Sequence, residues 1–185
     1  MKKELFKPNE IGKGVMKNIL DVCCGGRMFW FNKQHPNALY VDIRGVETFK
    51  TGKGIHERTR HIRPDVVMDF RRLNLADKSF SLVIFDPPHL KTLGENSFTA
   101  KVYGKLTEDW KDDLKKGFSE CFRVLAENGI LIFKWCEYEI PVKEVLKLSP
   151  FSPLFGHHSG KQQKTHWLCF MKISPSSPFA SGGKY

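Results

Sequence analysis

Residues 80–89 read Phe-Ser-Leu-Val-Ile-Phe-Asp-Pro-Pro-His, an apolar run that ends on a rigid acidic turn. The run is nearly continuous hydrophobe rather than a strict alternation, the pattern of a strand covered on both faces. Pro87 and Pro88 lock φ and remove two backbone donors. What remains at the turn is acceptors: the Asp86 carboxylate and the carbonyls of the rigid segment. A neutral group with two N–H donors, such as the exocyclic amine of a base, suits that arrangement. Holding it there also fixes its lone pair toward an electrophile. A Pro-Pro turn can simply stop a strand. Its place at the carboxyl end of a buried strand, where α/β sheets bind ligands, favours the functional reading.

Similar runs lie on either side. Residues 18–23 (NILDVC), 38–43 (ALYVDI), 65–68 (DVVM), 129–135 (GILIFKW) and 165–171 (THWLCFM) each read as strands. A short strand at 154–157, before a polar turn, is expected to pair antiparallel with the last one. The clearest helix spans 107–127, where Trp110, Leu114, Phe118, Phe122 and Leu125 form one stripe at helical spacing. Thr107 suits its N-cap and Asn128-Gly129 its stop. Pro141 opens a shorter helix that Ser149-Pro150 closes. Strands alternating with helices imply an α/β fold with a mostly parallel sheet.

The first strand runs into Asp21-Val22-Cys23-Cys24-Gly25-Gly26, and Asp42 ends the second, 21 residues after Asp21. Glycines at such a turn let a ligand approach the backbone. A carboxylate at the end of the next strand can take both hydroxyls of a ribose. The same pair of features occurs in dinucleotide folds, but the third glycine of their fingerprint is missing: Arg27, Met28 and Phe29 follow Gly26.

The chain has 185 residues, a length for one domain, and its 41% hydrophobic content supports an ordinary core. Thirty Lys and Arg against twenty Asp and Glu leave a formal charge of +10, which suggests a polyanionic partner. Two places concentrate the excess. Residues 44–63 carry six Lys or Arg against two Glu, and no carboxylate side chain follows Glu144. Arg58 and Arg60 in the first and Lys161 in the second are candidate phosphate contacts. The polar stretch 91–106 after the proline turn is long for a connector. Its Phe98 and Tyr103 either lid a bound base or pack on the sheet edge. The first ten residues lack a secretory apolar stretch, and no apolar run has the length of a membrane span. Five Cys without CxxC spacing point to reduced thiols, so a cytoplasmic protein is expected. His157, His158, His166 and Cys169 match no standard zinc spacing, and no metal is expected.

With these motifs in order, the chain resembles the class I S-adenosylmethionine-dependent methyltransferases of the amino-methyltransferase type. Their signature after the fourth strand is Asp, Asn or Ser, then Pro-Pro, then Tyr, Phe or Trp. The resemblance covers roughly residues 15–172. It also rests on the glycine loop, the acid ending the second strand, and the stretch RVLAENGILIFKW into the fifth. It implies a Rossmann-like seven-stranded, mostly parallel sheet with a C-terminal antiparallel hairpin. The domain would span 1–172, with 173–185 as a disordered tail rich in Ser, Pro and Gly.

The resemblance further implies S-adenosylmethionine as cofactor. Asp21, Cys23, Gly25 and Gly26 fall on its loop, Asp42 on its ribose acid, and Asp69 on the contact to its adenine amine. Asp86 and Pro87, with Pro88, would hold the target amine, and His89 takes the place of the stacking aromatic. Two departures stand out. Arg27 occupies the position of the loop's second glycine, and His89 replaces Tyr, Phe or Trp. The implied activity is methylation of an exocyclic nucleobase nitrogen, foremost adenine N6, in DNA or RNA. Guanine N2 of ribosomal RNA and a catalytically silent binding subunit are the alternatives. No residues remain for a separate recognition domain. Target choice would then fall to loops, a homodimer or other recognition partner, or an already structured RNA.

Overall fold

The computed structural model describes residues 17–52, 54–94 and 97–173. The expected tail from residue 174 onward, and the residues read for a secretory stretch, lie outside them. Among the described residues the order is β1 (Ile19–Asp21), β2 (Ala38–Asp42), β3 (Glu47–Thr51), β4 (Arg58–Ile62), β5 (Val66–Val67) and β6 (Phe80–Phe85). There follow α1 (Phe98–Tyr103), α2 (Trp110–Val124), β7 (Leu125–Cys136), α3 (Val142–Leu146), β8 (Phe155–Ser159) and β9 (Thr165–Met171). No helix among the described residues is long and apolar enough to cross a membrane.

Seven strands form one sheet in the order β5-β2-β1-β6-β7-β9-β8. The first five are parallel, whereas β9 runs antiparallel to β7 and β8 antiparallel to β9. This is the Rossmann-like sheet with a terminal antiparallel hairpin. β2 is buried at every position, which accounts for the run Ala38 to Val41 without a charge before Asp42. β1 sits centrally: the chain leaves it for β2 on one side and later returns to β6 on the other. Such a reversal opens a crevice at the strands' carboxyl ends.

One face of the sheet is covered by α2. Leu114, Phe118, Cys121 and Phe122 pack on Val83, Phe85, Leu131 and Phe133 in one buried cluster. Phe118 meets Phe85 edge-on at 5.4 Å and Phe133 at 4.9 Å. Each such aromatic contributes roughly 1.5–3 kcal/mol by leaving water. α3 and its flanks add Val142, Val145, Leu146 and Phe151 to this layer. Between β1 and β2 the chain forms turns rather than an α-helix, and among the described residues Cys24, Ala38 and Tyr40, with Ile19 and Trp30, make a second small cluster.

The structure differs from the sequence reading at three points. The helix starts at Trp110; the Thr107 hydroxyl does not cap it but donates to Asp113 Oδ2 at 2.7 Å. Asn128-Gly129 is not the helix stop. α2 ends at Val124 and leads directly into β7, where Phe80 pairs with Leu125 but Leu82 pairs with Ile130. Asn128 takes φ +61° in this bulge, which is the left-handed backbone that Asn tolerates. Residues 44–63 are more than a concentration of charge. They hold the two-stranded hairpin β3–β4, turned through a 3-10 segment at Gly54–His56.

Candidate active site

A cavity of about 570 Å³ opens at the carboxyl ends of β1, β2, β5 and β6, within the size range of small-ligand sites. The glycine turn, Asp42 to Arg44, Phe70 and Arg71, and Asp86 and Pro88 line it. Residues 102–107 and Lys134 close it.

At the glycine turn, Gly25 has φ +46° and its N–H donates to Asp42 Oδ2 at 2.9 Å. Gly26 packs close to the hairpin, since an added Cβ would lie 3.4 Å from the His61 carbonyl oxygen. Arg27 follows with φ +52°, the backbone a glycine would adopt more cheaply. Its side chain does not line the cavity. The guanidinium donates to the Lys33 carbonyl at 2.6 Å, to Asp65 Oδ1 at 3.0 Å and to the Arg63 carbonyl, and lies 3.6 Å over the Tyr40 ring. The residue in the second-glycine position thus staples the loop to β2 from behind.

Asp42 is buried, and its two oxygens accept four hydrogen bonds. One comes from Gly25; the others come from the Arg44 backbone N–H (3.0 Å), Nε (2.9 Å) and Nη2 (3.1 Å). A carboxylate offers about four acceptor sites, so a diol arriving at Asp42 must displace Arg44. Arg44 Nη1 also reaches across to the Lys101 carbonyl at 3.1 Å and so straps α1 over this end of the cavity.

Asp21 lies behind the turn, fully buried and not in the cavity wall. Trp30 Nε1 donates to its Oδ2 at 2.8 Å. Burial, reinforced by nearby Asp86 and Asp42, pushes the Asp21 carboxyl up to about 7 despite the Trp30 bond. Cys23 and Cys24 line the cavity, and burial drives both thiols upward, so neither is a thiolate nucleophile at neutral pH. All five Cys are free.

Asp69 does not face the cavity; Phe70 and Arg71 do. Its carboxylate accepts Arg71 Nε at 2.9 Å and Nη2 at 2.6 Å, while Arg71 Nη1 continues to Asp113 Oδ1 at 3.1 Å. Partial burial opposes ionisation here, but the Arg71 bonds outweigh it and hold the carboxyl below its usual range.

At the other end, Asp86 faces the cavity and Lys134 Nζ donates to its Oδ2 at 2.7 Å. Burial raises the Asp86 carboxyl, and the Lys134 ammonium recovers only part of that shift. Pro87 is buried and Pro88 lines the wall. Gly104 passes so close that a Cβ there would meet Pro88 Cγ at 3.0 Å. His89 does not line the cavity. It packs against Tyr103 and edge-on to Trp135, each with ring centres 6.2 Å away. Burial lowers its pKa, which leaves the imidazole neutral.

Tyr103 lines the cavity, whereas Phe98 on α1 is half exposed and outside it. Arg58 is exposed on β4; Arg60 Nη1 lies 3.8 Å from the sulfur of Met28, a wall residue. Lys161 is exposed in the β8–β9 turn, which the antiparallel pairing of Cys136 with Thr165 places at the same edge of the sheet. His158 and His166 sit 4.4 Å apart, and His166 Nε2 lies 2.9 Å from Glu137 Oε1. Among the described residues no three His, Cys, Asp or Glu side chains are arranged to hold a metal ion.

Comparison with known proteins yields no matching family model and no matching curated protein. Solved structures do match. PH0226 from Pyrococcus horikoshii OT3 shares 17% identity over 84% of this chain and 81% of its own, with a TM-score of 0.52. The likeness is one of fold. A SAM-dependent methyltransferase from Methanosarcina mazei superposes with TM-score 0.47 at 13% identity, over 84% of this chain and 92% of its own. The antibiotic-resistance methyltransferase Kmr gives 0.43 at 14%, over 84% and 86%. The last two scores add no argument to the first.

Sequence reading passed over Lys134, Arg44, Arg71 and Phe29, all in the cavity wall. Lys134 had a signal: it is the one charged residue in the apolar run GILIFKW. A charge there is costly unless paired.

Proposed function

We propose that this protein transfers a methyl group from S-adenosylmethionine to an exocyclic amino nitrogen of a nucleobase, foremost adenine N6, in DNA or RNA. The observation that carries the reading is that one cavity joins the glycine turn and Asp42 at one end to Asp86 and Pro88 at the other. The residues fit such a cofactor. Gly25 and Gly26 leave backbone open to it, Asp42 suits a ribose diol, and Ile43 and Phe70 supply apolar wall for a base. Asp21 and Asp69 serve from behind, by fixing the turn and Arg71.

When bound, S-adenosylmethionine supplies an electrophilic methyl on sulfur. The chain's own task is to present the nitrogen. Ionised Asp86 accepts an amine N–H, and the Pro87-Pro88 segment adds carbonyl acceptors without a backbone donor to compete with it. The same carboxylate stabilises positive charge as it develops on nitrogen. No general base is required, because the methylated nitrogen is acidic and releases its proton afterwards. A duplex base cannot enter this cavity, so the target is flipped out or single-stranded. Arg58 and Arg60 on the β3–β4 hairpin, with Lys161 in the β8–β9 turn, would hold the phosphates, and Phe98 and Tyr103 would flank the entry.

Calorimetry with S-adenosylmethionine, then radiolabelled transfer to DNA and RNA pools, tests the reading. Digestion to nucleosides and mass identification then name the base, adenine N6 or guanine N2. Asp86→Ala is expected to abolish transfer while cofactor affinity stays within a few fold. Absence of cofactor binding overturns the proposal, and binding without transfer to any polynucleotide leaves a silent binding subunit.

A further inference from the structure

Lys134 stands where a methyl-transfer site has no need of a cation. It projects from β7 beside Asp86 because Phe85 and Phe133 are register partners on adjacent parallel strands. Its ammonium carries three donors. Among the described residues its hydrogen bond goes to Asp86 Oδ2, which leaves Asp86 Oδ1 and two Lys134 N–H groups. Two aromatic rings also lie near Nζ, Phe29 at 5.8 Å and Trp167 at 5.7 Å. The rings meet edge-on at 5.5 Å and attract the cation, but they offer no lone pair. Asp86, Phe29 and Lys134 all line the cavity, and the Lys134 side chain is 22% exposed. A partly buried ammonium with unmet donors at a cavity wall calls for an acceptor from the ligand.

We propose that Asp86 and Lys134 together read a two-atom edge of the substrate, Asp86 taking an N–H of the target amine and Lys134 donating to the ring nitrogen or carbonyl beside it. This deepens the proposed function and rests on it. It narrows the substrate to a neutral amine conjugated to an adjacent acceptor, the amidine edge of adenine, cytosine or guanine. A cationic amine is rejected, since it has no lone pair to attack the methyl and Lys134 meets it with a like charge. It also places Phe29, rather than His89, as an aromatic wall residue beside the reacting pair.

The test compares single-stranded DNA and RNA oligonucleotides that differ by one ring atom, with radiolabelled S-adenosylmethionine as donor. The pairs are adenine against 1-deazaadenine and 7-deazaadenine, cytosine against 3-deazacytosine, and guanine against 3-deazaguanine. Each deaza base keeps the amine and replaces one nearby acceptor with C–H. For the base it methylates, the wild-type protein is expected to lose about tenfold or more in kcat/KM on one deaza partner, as befits a hydrogen bond from a charged donor. Lys134→Met is expected to bring that ratio to within about twofold of unity, and Lys134→Arg to retain it. A purely structural role for Lys134 would slow all substrates alike and leave the ratio unchanged, which overturns the inference. So does a wild-type protein that treats every deaza pair equally. Cofactor binding with no transfer to any base overturns the functional reading itself, a different outcome. Thermal melts and cofactor affinity of both variants report that the fold is intact.

Discussion

Asp21→Asn separates a buried acid's cost from its geometry. The carboxyl is fully buried, with Trp30 Nε1 on one oxygen and the Cys23 N–H, at 3.4 Å, on the other. Asn keeps an acceptor for Trp30 and is neutral at every pH. In the folded protein burial holds this acid at about 7, against 3.8 for the ordinary group. Between those values the folded state keeps the proton that the unfolded chain has lost. Folding therefore takes up a proton, and wild-type stability falls as pH rises through the window, levelling off above about 7. At about 1.4 kcal/mol per pH unit the whole interval amounts to about 4 kcal/mol. From pH 5 to pH 8 the part still to be lost is about 2.5 kcal/mol. Urea unfolding followed by tryptophan fluorescence at those two pH values should show Asp21→Asn gaining that much on the wild type. Calorimetric melting should show the Tm gap widening by roughly 5–10 °C for a chain of this size. Titrating groups remote from Asp21 are common to both proteins and cancel in the comparison, while Asp86 and Asp42, which act on it, add a smaller difference. A gap that stays constant from pH 5 to 8 would mean that Asp21 is already ionised in the fold, and the burial argument fails.

Three further substitutions probe other parts of the fold. Arg27→Ala removes the Asp65 pair, two carbonyl contacts and the Tyr40 stacking, and should cost roughly 2–3 kcal/mol in urea. Cofactor affinity should change less than about threefold, because the side chain lies outside the cavity; a parallel loss of affinity would contradict that placement. Gly117→Ala puts a Cβ 2.7 Å from both Phe70 and Phe85, so α2 should lose about 1–3 kcal/mol of stability despite the better helix former; a stabilised variant would show that the aromatic layer yields freely. Asp42→Ala should weaken S-adenosylmethionine at least about tenfold by calorimetry, and an unchanged dissociation constant would remove the ribose assignment.

Much of the fold was legible because its strands are buried on both faces. Residues 82–85 and 38–41 are runs of apolar or aromatic side chains, and the stripe from Trp110 to Phe122 has helical spacing whatever its neighbours. The hairpin at 47–62 was less legible. Most of its positions are exposed, so no buried face forces an alternation that a reader could count. Asn128-Gly129 misled for a related reason. Left-handed backbone favours Asn at a helix end and at a strand bulge alike, and only the pairing of β6 with β7 tells which one is built.

The chain's own order of residues determined the elements, the parallel sheet they imply, and a glycine turn, Asp42 and Asp86 each at a strand's end. These follow from local periodicity, from proline's fixed φ and from glycine's freedom, which act within a few residues. The tertiary structure alone decided which side chains meet. Lys134 reaches Asp86 across 48 residues, and Arg44 reaches the Lys101 carbonyl across 57. Arg27 turns away from the cavity, and His89 packs into the wall behind it. Those encounters depend on strand register and loop closure, which sum weak preferences along the whole chain; the one local trace is Lys134 itself, a charge in an apolar run whose partner the sequence does not name.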